Sequence, residues 1–288
     1  MTAAHGPIVG RRRLRFALRQ AREAADLTQE QVAGQMDWSL SKLIRIEAGT
    51  VSVSTNDLKA LLALYRISDR AQVEELVELA RVSRQRTWWA GYQDRLASYR
   101  LSFIGLEAET SALWSFNPLL VPGLLQTELY ARAIIAENWP KDGTPGAIEP
   151  LVELRLARQR EVLRRPDPPQ LMVLMDEAAL RRPVGGWPAM REQLLHIVDA
   201  TGQPNVWVRV LPFAAGPYPA MYGPFVIFDF PEETDSSVVF IENAFSGDVL
   251  ERAEDVSAYR RVVDQMWQRA LTVEDSLTLI KTVAGQGG

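Results

Sequence analysis

The chain has 288 residues, an apolar fraction of 47% and a net charge of −4, which suits about two globular domains. It contains no Cys and only two His, His5 and His196. Disulfides, thiol catalysis and zinc–thiolate centres are therefore excluded, and a multi-histidine metal site is not expected.

No run of about 18 apolar residues occurs and the N-terminus carries no apolar signal core, so a cytoplasmic protein without a membrane segment is expected. The charge is unevenly spread. Through residue 87 there are 14 Lys and Arg against 10 Asp and Glu, a balance of +4, while the remainder has 18 against 26, a balance of −8. Such a split is expected where one end of a chain meets phosphate and the other does not.

Residues 1–8 read as a loose arm, and residues 9–25 as an amphipathic helix with Leu14, Ala17, Leu18 and Ala21 on its buried side. Arg11, Arg12 and Arg13 open this helix. Two roles stand open for them: contact with a DNA backbone, or a solvated helix start.

Residues 28–50, TQEQVAGQMDWSLSKLIRIEAGT, carry the strongest signal. They read as two short helices joined by a tight turn. Val32, Ala33 and Met36 form the apolar face of the first, and Leu43 and Ile46 that of the second. Thr28 and Gln31 have the spacing of a capping box, and Ser39 is placed to cap the second helix. Trp38 is placed to wedge the turn, and Gly49 to stop the second helix. This is the pattern by which a helix-turn-helix pushes its second helix into a DNA groove. The candidate DNA-binding residues are Thr28, Gln29, Ser39, Leu40, Ser41, Lys42 and Arg45. Gln29 and Ser39 are expected at phosphates, and Lys42 and Arg45 in the groove.

SVSTNDLKALLALYRI continues as another amphipathic helix, and residues 69–87 carry one more, with Val73, Leu76, Val77 and Ala80 spaced for burial. Trp88, Trp89 and Tyr92 then crowd three aromatics into five residues. They are expected to pack against the second domain or a second subunit, and form a candidate partner or ligand surface with Tyr218 and Tyr222.

Beyond residue 105 the pattern predicts a helix over 106–114, a break at Asn117-Pro118, a helix starting near Thr127, a loop at 141–146 and a charged helix over 148–164. Four β-type runs follow: QLMVLMD at 170–176, NVWVRVLPF at 205–213, PFVIFDF at 224–230 and SVVFIENA at 237–244. A helix over 187–201 joins the first two, PEETDSS makes a polar hairpin-type connection between the last two, and the tail from 254 reads as one long helix. The fold class is a mainly α helix-turn-helix domain followed by an α+β domain with a small sheet of about four strands.

Little here speaks for catalysis. Asp176 and Glu177 stand beside Arg181 and Arg182, but adjacent residues of a strand point to opposite faces, so an ion-pair cluster is the better reading than an acid–base pair. Gly185-Gly186 lacks the strand–glycine–helix setting of a nucleotide loop, and His196 reads as an ordinary helix-face residue. VLPFAAG at 210–216 leads into a loop rich in Pro, Tyr and small residues, open to use as a pocket lid, a partner-binding surface or a plain connector. No catalytic residue, metal or cofactor is expected, and the chain is not read as an enzyme.

With these residues in view, residues 9–67 resemble an Xre/Cro-type DNA-binding domain, through LTQEQVA and WSLSKLIRIEAG. The whole chain resembles actinomycete regulators that join such a head to a C-terminal domain of unknown function. The motifs are WWAGY at 88–92, GLEAE at 105–109, LLVPGLLQTELYARA at 119–133, RLARQ at 155–159, DEAALRRPVGG at 176–186, VLPFAAG at 210–216 and GPFVIFDF at 223–230. The resemblance implies a sequence-specific, dimeric transcription regulator of development or secondary metabolism, with a small partner protein encoded nearby. It divides the chain into a head at 1–84, an aromatic linker at 85–104 and a regulatory, dimerising or partner-binding domain at 105–288. The sequence departs from that family at Asp37, where Gly is usual, and at Leu40 and Ile44, where polar residues are more common. Those two are open to contact with thymine methyl groups or with protein.

Overall fold

The chain divides into two compact units, Met1–Gly91 and Tyr92–Gly288. The computed structural model describes residues 6–138, 148–232, 235–243 and 246–286. The loose arm up to His5, the loop at 141–146, Ala244 and part of the 231–237 connection lie outside the described residues.

The first unit is built from five helices: α1 (Pro7–Ala24), α2 (Gln29–Gln35), α3 (Leu40–Glu47), α4 (Thr55–Leu64) and α5 (Arg70–Val82). Pro7 starts α1 at a position where its fixed φ suits a helix and its missing N–H costs nothing. The next four helices share one device. Thr28, Ser39, Ser54 and Asp69 stand in extended conformation, and each accepts the backbone N–H three residues on, from Gln31, Lys42, Asp57 and Gln72. Each such cap is worth about 1 kcal/mol. Gln31 completes the capping box, because the Thr28 N–H donates to its side-chain oxygen at 2.8 Å. Leu14, Leu18, Val32, Leu43, Ile46, Leu58 and Leu61 bury together as one core. α5 ends at Val82 rather than at residue 87, where Ser83 turns its hydroxyl back onto the Ala80 carbonyl. A 3₁₀ segment follows at Trp88–Arg95.

The second unit opens with α6 (Ser98–Glu109), which takes up the end of the expected linker. It continues with β1 (Ala112–Asn117), α7 (Glu128–Asn138), α8 (Glu149–Leu163), β2 (Gln170–Asp176), α9 (Glu177–Arg181), α10 (Trp187–Ala200) and β3 (Val206–Leu211). The chain finishes with β4 (Phe225–Asp229), β5 (Val238–Glu242), β6 (Gly247–Leu250), α11 (Ala253–Arg269) and α12 (Val273–Gln286). The strands form one sheet in the order β3-β2-β1-β4-β5-β6. β1, β2 and β3 run parallel, and β4, β5 and β6 add on as an antiparallel meander. Parallel strands are covered on both faces, and in β2 the run from Leu171 to Met175 is buried throughout. On one face Phe116, Leu174, Ile227 and Val239 pack with Val263 and Met266 of α11. On the other, Phe103 of α6 stands edge-on to Phe228 and Phe240, with centroids 5.4 and 4.9 Å away.

Three expectations are corrected. The sheet has six strands rather than about four, because β1 and β6 were not foreseen. The expected helix over 106–114 stops at Glu109, and Ala112 onward pairs with both β2 and β4. The single helix from 254 is two helices, broken where Ala270 turns extended and Thr272 begins a new cap by accepting the Asp275 N–H at 3.1 Å. That break has a partner. The Leu271 N–H donates to the Val210 carbonyl at 2.9 Å, and the Val210 N–H donates to Ser276 Oγ at 3.0 Å. Arg209 adds donations to the Leu271 and Ala270 carbonyls at 2.6 and 2.7 Å. The α11–α12 corner thus satisfies both backbone groups of Val210 on the outer edge of β3.

Candidate nucleic-acid interface

α2 and α3 are locked by a polar clamp under their outer surface. Arg22, near the end of α1, donates through Nε and Nη2 to the two carboxylate oxygens of Glu47 at 2.7 and 3.2 Å. Its Nη1 donates to the Leu27 carbonyl at 2.8 Å, and Gln29 Nε2 donates to Glu47 at 2.7 Å. One carboxylate at the end of α3 therefore fixes the end of α1 and the first turn of α2. The Glu47 hydrogen bond, opposed by burial, holds the Arg22 guanidinium above its ordinary range. Burial, and then the nearby Glu47 charge, push the Tyr65 phenol well up.

The turn between the two helices passes through Asp37, which adopts φ +53°, the left-handed region where Gly is at ease. Gly49 ends α3 at φ +71°, with the Arg15 side chain close behind it. Trp38 packs on the core from the turn.

The outer face of α3 carries Leu40, Ser41, Ile44 and Arg45, all exposed. Arg45 uses Nε to reach the Ser41 carbonyl at 3.2 Å. Lys42 is drawn aside: its Nζ donates to Asp57 at 3.1 Å and lies 3.7 Å from the centre of the Trp38 ring. Thr28 and Ser39 are exposed at the N-termini of α2 and α3, their hydroxyls engaged as caps.

Gln29, expected at a phosphate, is turned to Glu47. The three arginines of α1 are not equivalent. Arg12 is buried, Arg11 donates to the Ser83 carbonyl at 3.1 Å, and Arg13 is partly exposed. Arg12 thus sits among protein groups, while Arg11 is half-buried with one guanidinium nitrogen turned to the Ser83 carbonyl. Sequence reasoning missed Glu47 and Asp57 as the groups that place Gln29 and Lys42; both act across 15 to 18 residues of chain, and no local signal marks them.

The aromatic surface expected in the remainder separates. Trp89 is buried and meets Trp88 edge-on at 5.4 Å, and Tyr92 is half-buried. Tyr218 is corrected from a surface residue to a core one: it packs on Phe116, and its hydroxyl donates to Asp176 at 2.6 Å. Burial, then that hydrogen bond, push the Tyr218 phenol up. Tyr222 is fully exposed, with Phe213 and Met221 also exposed on the same loop.

Asp176 also caps α9, and Glu177 pairs with Arg181 and accepts the Phe213 N–H, so both carboxylates hold structure. Gly185 and Gly186 adopt positive φ and lead into α10. His196 lies on the exposed side of α10, beside an open groove of about 500 Å³ that also includes Thr127, Arg191 and Asp199.

Three sequence motifs of this unit meet in one polar network. Glu107 of GLEAE, 1% exposed, accepts two hydrogen bonds from Arg158 of RLARQ at 2.7 and 2.8 Å. Gln159 donates to the Gly123 and Gln126 carbonyls of VPGLLQ, and Arg155 donates to the Gln126 side chain. Gly123 permits the approach, since a Cβ there would stand 3.1 Å from the Arg155 guanidinium. Burial, then the charge of Arg158, push Arg155 down to about 10.

A family model described as a domain of unknown function (DUF5753) matches residues 101–282, well over half of the chain. The protein belongs to this family. A second model, described as a helix-turn-helix domain, matches residues 13–76 of the head. No curated protein and no solved structure matches the chain. A helix-turn-helix head points to a DNA-binding regulator. Among the described residues no helix is long and apolar enough to cross a membrane, and no cluster of side chains has the makings of a metal site.

Proposed function

We propose that this DUF5753 protein is a sequence-specific transcription regulator of the Xre/Cro type, similar to those of actinomycetes. It acts in the cytoplasm as a dimer whose second unit dimerises, senses a signal or binds a small partner protein, and it is not an enzyme. The observation that carries the reading is the outer face of α3, where Leu40, Ser41, Ile44 and Arg45 stand exposed on a helix clamped from below by Glu47. Ser39 at the start of that helix adds backbone N–H groups of the kind that meet phosphate. Two such heads about 34 Å apart would read a two-fold-related site. The non-enzymatic reading is supported by the engagement of Asp176 and Glu177 in capping and pairing.

The test is a footprint of the full-length protein on DNA tiled across its own upstream region, with a salt titration. A two-fold-related footprint that Arg45→Ala combined with Lys42→Ala abolishes at moderate salt, with the fold intact, is the expected result. Retained protection by that variant rejects the assignment.

A second reading, a protein-interaction module of a two-gene pair whose DNA binding is autoregulatory, is favoured by the loop at 212–224. Phe213, Met221 and Tyr222 are 58%, 48% and 105% exposed there, beyond what an inert connector requires. Phe213→Ser with Tyr222→Ser is expected to release a small protein that co-purifies stoichiometrically with the wild type, leaving the footprint intact. The groove beside His196 leaves a small-molecule signal as a third role for the second unit, tested by mass spectra of the purified protein for an enriched metabolite.

A further inference from the structure

We propose that α3 selects its DNA site mainly through the C5-methyl groups of thymine, held by Leu40 and Ile44, with Arg45 adding a single guanine contact. The inference rests on the DNA-binding reading above and names what that surface reads.

The geometry of α3 carries it. Leu43 and Ile46 face the core, so the outward positions are Leu40, Ser41, Ile44 and Arg45. Leu40 and Ile44 are 37% and 43% exposed and stand one turn apart on the same side. Each leaves more than a third of its surface in solvent in the free protein, and gains further when an apolar group is brought to it.

Two polar residues of this helix pair that would otherwise be free to read bases are withdrawn. Lys42 is held by Asp57 and Trp38, and Gln29 by Glu47. Of the outward polar side chains on α3, Arg45 alone carries the fork that matches the O6 and N7 of guanine, and among the described residues its side chain donates through Nε, to the Ser41 carbonyl.

The one apolar group in the major groove of unmodified DNA is the thymine methyl. Residues one helical turn apart lie about 5–6 Å from each other, and base steps rise about 3.4 Å, so the pair reaches two thymines one or two steps apart. Ser39, Ser41 and Arg45 place polar side chains on, or at the cap of, the same short helix as the pair. Such a setting suits nucleic acid better than the apolar surface of another protein.

The experiment uses the full-length protein and a randomised duplex library. The enriched sequence is then made with thymine or with deoxyuridine, which differ only in the C5-methyl. The wild type is expected to bind the deoxyuridine form roughly tenfold more weakly. Leu40→Ala with Ile44→Ala is expected to bind both forms equally, compared below its melting transition because both side chains are partly packed in the head. Arg45→Ala is expected to lose the preference for guanine and keep the preference for thymine.

An enriched sequence that the wild type binds equally in both forms overturns the proposal while the DNA-binding reading stands. Failure to enrich any sequence overturns both. Equal binding of both forms together with a changed oligomeric state in the Leu40, Ile44 variant assigns the pair to a protein contact, and likewise overturns the proposal.

Discussion

Arg22 and Glu47 are joined by two parallel hydrogen bonds beneath the α2–α3 surface, with side chains only 11% and 5% exposed. A charge so placed is tolerated through its partner, and removing one member leaves the other buried without compensation. Arg22→Ala is expected to destabilise the head by about 3 kcal/mol, and Glu47→Ala by a similar amount. Urea denaturation followed by helix content checks this. The Glu47 variant is also expected to weaken DNA binding beyond its loss of stability, since Gln29 loses the acceptor that fixes it.

Lys42 and Asp57 form a half-exposed pair, so its stability value is small, about 1 kcal/mol at most. Its larger effect is on charge. Asp57→Asn is expected to free Lys42 for phosphate and steepen the fall of log K with log salt by about 0.9, one further phosphate contact. Titrating the footprint between low and high salt measures that slope. A slope equal to that of the wild type would show that Trp38 alone retains the lysine.

The αL conformation at Asp37 makes the turn adjustable in one direction. Asp37→Gly is expected to stabilise the head by about 0.5–1 kcal/mol, because Gly adopts φ +53° without the Cβ penalty. Denaturant midpoints of the two proteins provide the comparison.

Tyr218 gives the second unit a dependence on alkaline pH. Burial and the Asp176 hydrogen bond raise its folded pKa, while an unfolded tyrosine ionises near pH 10. The unfolded chain therefore releases its proton first. The contribution is complete below about pH 10 and is lost as pH rises above it. Tyr218→Phe is expected to cost about 1 kcal/mol at neutral pH, through the lost hydrogen bond, and to flatten the decline above about pH 10. Chemical denaturation at neutral pH and again in that alkaline range tests both.

The head was largely legible because its signals are local. Thr28 with Gln31, Ser39 before Leu40 and Gly49 after Glu47 lie within a turn or two of the structures they control. The second unit was legible where burial is continuous, as in β2. It was not legible where pairing is remote. β1 has only Leu113 and Phe116 fully buried, so its alternation is broken and it reads as a continuation of α6. β6, with Gly247 and Asp248, has weak strand propensity and is defined by its register with β5. The break at 270–272 carried a local clue, Thr272 three residues before Asp275, the spacing of a helix cap. Within the candidate interface, exposure of Leu40 and Ile44 followed from helical period, whereas the withdrawal of Gln29 and Lys42 depends on partners contributed by other helices.

The α11–α12 corner caps one point on the outer edge of β3, with Leu271 and Ser276 taking up the carbonyl and N–H of Val210. β6 stands at the opposite end of the strand order. Truncation before residue 271 is expected to uncover the backbone N–H and carbonyl of Val210 on an edge strand and so to promote association through that edge, read as increased light scattering.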